Sequence, residues 1–186
     1  STYTIAWNNV VAGKYSITAK ATDNIGAVTN SDPVTIIVKQ NQTITLVKGW
    51  NLISTNIYPS DSNIATIFSN LDVIEIKTME EYWRKDQNNI FNTLKNIESG
   101  KGYLIKMNSN GILNLVGMPM ENQNIDYSGK SGWQLIGSPY QSITPFSTYL
   151  NKANCSKIKN FEGFWIPEGT TNSINNFEPG KGYFKE

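Results

Sequence analysis

The sequence predicts a mainly β fold: a short run of strands, then two β-rich units related as a pseudo-two-fold pair, each with one short helix. Three observations predict it. Apolar and polar residues alternate at period two over many short runs. Gly, Asn and Asp punctuate those runs at turn spacing. Three sequence blocks also occur twice, in the same order and at nearly constant separation.

The opening segment, residues 1–38, reads as a β-meander. Tyr3–Trp7 alternates and Asn8-Asn9 begins a turn ending near Gly13. Lys14–Ala21 alternates again, Asp23, Asn24 and Gly26 form the next turn, and Val34–Val38 makes a third strand. The segment Trp7 to Ala27, with Gly13, Tyr15 and Thr22-Asp23-Asn24, followed by Ser31-Asp-Pro-Val-Thr-Ile-Ile-Val38, resembles the last three strands of a bacterial immunoglobulin-like module. That resemblance implies a partial immunoglobulin-like β-sandwich, since a full one needs about seven strands. It implies a core role for Tyr15 and a turn-bracing role for Asp23. It also implies a secreted or cell-surface protein in which such modules sit between catalytic and binding modules, with upstream modules as partners in the same polypeptide. The chain opens in strand-like sequence with no signal peptide, so the expectation is a fragment whose export signal lies upstream or has been removed.

Residues 39–42, Lys-Gln-Asn-Gln, read as a linker. The repeat follows, as units 43–118 and 119–186. Gly49-Trp50-Asn51-Leu52-Ile53 recurs as Gly132-Trp133-Gln134-Leu135-Ile136. Ile76-Lys77 with Glu80, Tyr82 and Trp83 recurs as Ile158-Lys159 with Glu162, Phe164 and Trp165. Asn92 to Tyr103, ending Gly100-Lys101-Gly102-Tyr103, recurs as Asn172 to Tyr183, ending Gly180-Lys181-Gly182-Tyr183. Between blocks, Ile64–Leu71 reads as a helix capped by Asp61 or Ser62. Phe146–Leu150 reads as its counterpart, with Thr144 as N-cap and Pro145 at the first helical position. Ile112–Val116 adds a strand, expected to complete the second unit's sheet. Units of about 70 residues are marginal alone, which favours a shared core or sheet. The Gly-Trp-Asn-Leu-Ile-Ser and Gly-Lys-Gly-Tyr pattern is similar to tandem repeats of exported bacterial and archaeal surface proteins.

Composition narrows the function. The chain has no histidine, which removes Ser-His-Asp and Cys-His arrangements and His-ligated metal sites. Cys155 is alone, so no intrachain disulfide forms. Net charge is +1 with no basic block, which argues against nucleic acid as a partner. No apolar run approaches the roughly 18 residues of a membrane span, so no membrane insertion is expected. Gly-Lys-Gly-Tyr lacks the spacing and the following helix of a phosphate loop. The glutamates Glu80, Glu98, Glu162 and Glu178 are repeat-related and read as turn braces more than as a glycosidase pair, which needs two carboxyls about 5–10 Å apart. The expectation is no catalytic residue, no metal and no cofactor.

Repeated Trp50 and Trp133 are expected in the core, because a buried Trp removes about 150–250 Å² from water. Trp83 and Trp165 end strands beside polar loops, and Tyr58 and Tyr140 flank the helix starts. These four are the candidate carbohydrate-binding residues. The predicted function is a non-catalytic accessory module that binds a polysaccharide or cell-surface glycan. A structural spacer or surface-layer element is the alternative, and hydrolysis by the glutamates a third.

Overall fold

A computed structural model describes residues 3–120 and 131–186. The fold is mainly β, with 43% strand and 4% helix in several antiparallel sheets. The expected start of the second unit, residues 121–130, lies outside the described residues.

The first segment forms two antiparallel pairs. β1 (Gly13–Ile17) pairs with β4 (Val34–Val38), and β2 (Lys20–Thr22) pairs with β3 (Val28–Asn30). Residues 3–7, expected as a strand, join no sheet, and the run 14–21 breaks after Ile17. Asp23 closes the β2–β3 turn: its Oδ1 accepts from the Ile25 and Ala27 amides at 2.9 and 2.8 Å. Gly26 supplies the left-handed residue of that turn, at φ +89°. The Tyr15 hydroxyl donates to the Val11 carbonyl at 2.6 Å, and the ring meets Trp7 edge-on at 4.8 Å. Register puts Tyr15 opposite Ile36 and Ile17 opposite Val34, so one face of this pair is apolar and open.

The expected linker is mostly strand. β5 (Gln40–Leu46) begins one residue after β4. Its alternation puts Gln42, Ile44 and Leu46 inside. Gln42 is polar yet buried because its Oε1 accepts from the Thr55 hydroxyl at 2.6 Å. Then come β6 (Gly49–Ser54), β7 (Ile57–Pro59), helix α1 (Ile64–Ile67), β8 (Val73–Lys77), β9 (Tyr82–Arg84), β10 (Gly102–Met107) and β11 (Gly111–Pro119). They form two sheets, ordered β5-β11-β7 and β6-β10-β8-β9. One core joins them, with Leu46, Leu113, Ile76, Trp83, Tyr103 and Ile105 buried together. Helix α1 seats Ile64 in that core, and Phe68 follows it in.

Two helix expectations need correction. Asn63 caps α1, with Oδ1 accepting from the Thr66 amide at 3.2 Å, while Asp61 serves the Asn63 amide itself. The α-helix stops at Ile67, four residues early, because Phe68 leaves helical geometry at φ −100°. The expected destination of β11 was also wrong. It pairs with β5 over seven residues and with β7 over three, all inside residues 40–119.

The second unit carries β12 (Gln134–Gly137), β13 (Thr144–Pro145), a one-turn 3₁₀ helix (Phe146–Thr148), β14 (Ile158–Lys159), β15 (Phe164–Trp165), β16 (Asn176–Phe177) and β17 (Gly182–Lys185). Thr144 is not an N-cap but a strand residue opposite Phe177. Pro145 precedes the helical turn, which has no side-chain cap. The main sheet runs β12-β17-β14-β15, the same order as β6-β10-β8-β9. Ile158 faces Trp165 across the ladder just as Ile76 faces Trp83. This core is aromatic: Phe146 meets Phe177 at 4.7 Å and Tyr183 at 5.3 Å, both edge-on.

The units meet through backbone at matching positions. Ile53 bridges Lys181, and Ile136 bridges Lys101. The Ser54 amide donates to Gly180 at 2.9 Å, and the Gly137 amide donates to Gly100 at 2.8 Å. Two glycines permit this approach. A Cβ on Gly102 would stand 2.6 Å from the Ile136 carbonyl oxygen, and one on Gly182 would stand 2.6 Å from that of Ile53.

Candidate functional site

Strand parity decides which aromatic residues reach solvent. In β9 and β15 the middle of the core belongs to the tryptophans, so Trp83 and Trp165 are each only 6% exposed. Tyr82 and Phe164 take the outer face instead. Tyr140 is also 6% exposed; its ring stacks on Tyr149 at 4.7 Å, and burial pushes its hydroxyl pKa well up. In this fold all three are packing residues, each only 6% exposed. Tyr58, in β7 opposite Met118, stays 46% exposed. None of the four lines either cleft described below.

Trp50 reverses the other expectation. In β6 it is Asn51 and Ile53 that point inward, so Trp50 and Leu52 face out. Asn51 tolerates burial because it closes the β5–β6 turn: its Oδ1 accepts from the Val47 amide at 2.9 Å, and its Nδ2 donates to the Val47 carbonyl at 2.7 Å. Trp50 is 37% exposed, with the Lys77 and Lys106 ammonium nitrogens 4.6 and 5.6 Å from its ring centre. Its repeat counterpart Trp133 is half-buried, with Lys159 at 4.0 Å.

Trp50 lines an open cleft of about 350 Å³ between the two units. Thr45 and Leu52 share its wall, and Phe161, Glu162 and Lys181 come from the second unit. Phe161 is 58% exposed at the tip of the β14–β15 turn. Asn160 holds that tip, its Oδ1 accepting from the Glu162 and Gly163 amides at 2.8 and 3.0 Å. Lys181 donates to both Glu162 oxygens at 2.9 and 2.8 Å and lies 3.1 Å from Glu178. Burial opposes the charge on Lys181, but the hydrogen bonds it donates to Glu162 and Glu178 outweigh it and hold the ammonium above its ordinary pKa. A second, shallower cleft of about 410 Å³ lies along β8 and β9, lined by Glu75, Lys77, Glu81, Tyr82, Arg84 and Gln87. In the first unit Met79 stands where the second has Phe161.

Two of the repeated glutamates, Glu98 and Glu178, brace turns. Glu98 pairs with Lys101 at 2.8 Å, matching Glu178 with Lys181. The Glu98 and Glu178 amides donate to the hydroxyls of Tyr103 and Tyr183 at 2.7 and 2.8 Å. Among the described residues no three of Asp, Glu or Cys gather as a metal site. Sequence reasoning missed Trp50 and Phe161. The parity of Asn51 and Ile53 was the signal for the first; Phe161 is an exposed turn residue with no periodic signal.

No helix among the described residues is long and apolar enough to cross a membrane. Compared with known proteins, the chain matches no protein-family model, no curated protein and no solved structure.

Proposed function

We propose that this chain is a non-catalytic accessory module of a secreted or cell-surface bacterial protein, and that it binds carbohydrate in the cleft between its two units. The carrying observation is that Trp50 and Phe161, from different units, both line that cleft and are both partly bare, with Thr43, Thr45 and Asn160 also in its lining. A pyranose ring presents apolar C–H faces and a hydroxyl rim. Aromatic faces take the former, and amide and hydroxyl groups the latter. An exposed Trp in water is otherwise a cost that burial would remove. The pseudo-two-fold reading of units 43–118 and 119–186 rests on the matched sheet orders and the reciprocal backbone contacts at Ile53 and Ile136. The immunoglobulin-like reading of residues 1–38 rests on the Tyr15 hydroxyl reaching back to Val11, the hydrogen bond of a tyrosine corner.

Affinity electrophoresis through gels containing polysaccharides, with a glycan array, tests this function. Retention is expected, and a Trp50→Ala, Phe161→Ala variant should lose about 30-fold or more in affinity, the scale of two central aromatic anchors. An unretained protein that is silent on the array refutes the reading. The architectural alternative draws on one observation, the open apolar face of Tyr15, Ile17, Val34 and Ile36. Self-association in sedimentation, without any glycan binding, would favour it.

A further inference from the structure

Trp50 is accompanied by two lysines that have no carboxylate partner among the described residues. Register puts Lys106 directly opposite Trp50 on β10, and Lys77 one strand further, on β8. Both lysines are half-buried, and both ammonium groups sit over or beside the indole. Among the described residues neither has a carboxylate within ion-pair distance. Glu75 lies opposite Lys106, yet its ion pair is with Arg84 at 3.5 Å. On the strands of this outer face Lys77, Lys106 and Arg84 stand against Glu75; Glu80 and Glu81, between β8 and β9, line the second cleft with Lys77 but lie beyond ion-pair distance of it. The second unit repeats the arrangement. Lys159 lies 4.0 Å from Trp133 and 5.5 Å from Phe184, and Lys157 lies 5.9 Å from Phe164. Neither lysine has a carboxylate partner among the described residues.

An ammonium with its stem half-buried and no carboxylate beside it has only the quadrupole of a ring as its partner. An arriving carboxylate restores the missing charge and draws the ammonium off the indole, which bares the ring for an apolar sugar face. The opposite wall does not compete for the same cations. Glu162 there is held by Lys181 through both oxygens.

We infer that the glycan of the Trp50 cleft is anionic, a polymer of carboxylate-bearing sugars, with Lys77 and Lys106, which flank the Trp50 ring without lining the cleft themselves, as counter-ions to a carboxylate on the residue that lies against Trp50. The inference rests on the carbohydrate-binding reading above and names its ligand class. A uronic acid polymer has the required features: a pyranose ring and one carboxylate per sugar.

Calorimetric titration of the full chain with an oligogalacturonate and an oligoalginate, alongside the methyl ester of the former, tests it. Either acid should bind at least about tenfold tighter than the ester, the scale of a charge-assisted contact. Lys77→Met with Lys106→Met should remove most of that difference while leaving thermal stability near that of the parent. Lys14→Met with Lys20→Met, on the exposed first segment, should leave affinity unchanged. Equal binding of acid and ester overturns the inference and leaves the carbohydrate reading intact. So does Trp50-dependent binding to a neutral glycan with neither acid bound. Equal losses from the two lysine pairs would mean non-specific attraction and overturn it too. Silence toward every glycan removes both the inference and the reading beneath it.

Discussion

Placing a methyl group on Gly102 probes the junction between the units directly. The added Cβ would stand 2.6 Å from the Ile136 carbonyl oxygen and 3.0 Å from the Ile136 nitrogen. An ordinary carbon–oxygen contact needs about 3.3 Å, so the strands must part by about 0.7 Å. Backbone offers no rotamer with which to yield. The neighbouring Gly137 to Gly100 hydrogen bond, now 2.8 Å, would stretch to the limit of a useful bond. Losing it costs about 1 kcal/mol, and the forced packing shift adds about 1–3 kcal/mol. The lower chain entropy of unfolded Ala returns about 0.4–1 kcal/mol. Gly102→Ala should therefore destabilise by about 1–3.6 kcal/mol, or roughly 2–14 °C in Tm for a chain of this length. Gly111→Ala is the control. Its Cβ would meet only the flexible ends of Leu71 and Met107, so the change should be below about 1 kcal/mol. Urea and thermal unfolding of both variants decide the matter. Equal, small effects would refute the close approach of the two backbones.

Two further outcomes follow from single hydrogen bonds. Tyr103→Phe leaves the Glu98 amide without its acceptor and should cost about 1–2 kcal/mol by urea unfolding. Burial raises the Tyr103 pKa from 10.0 to about 12, so its contribution is complete below pH 10 and is lost as pH rises toward 12; unfolding measured across that window should be less pH-dependent in the Phe variant. Asn63→Ala removes the only side-chain cap on α1 and should cost about 1 kcal/mol, whereas Ser62→Ala should cost clearly less.

The sequence made the β class and most strand positions legible, because alternation and turn residues are local signals. It located the repeated blocks for the same reason. It placed Trp50 in the core, whereas Trp50 faces out, and that difference moved the candidate site. Tryptophan was taken as core by size, but a strand has only two faces. In β6 the inward face is fixed by Ile53 and by the turn that Asn51 closes, so Trp50 has to face out. In β9 no small polar residue claims the core, and Trp83 fills it. The pairing of β11 with β5 was illegible because about 65 residues separate the partners, and nothing in either strand names the other. The cleft was illegible too, since Phe161 meets Trp50's surroundings only after both units have folded.

The long β5–β11 ladder has a mechanical consequence. Gln40 is paired with Gly117, and Leu46 with Gly111. Tension entering at Lys39 and leaving beyond Pro119 therefore pulls on the same end of the ladder. Hydrogen bonds loaded that way fail one pair at a time, like a zipper; only a pull along opposed ends would load all seven pairs in shear. Under stretch this seam should open at low force, releasing slack while β6, β10, β8 and β9 keep their order.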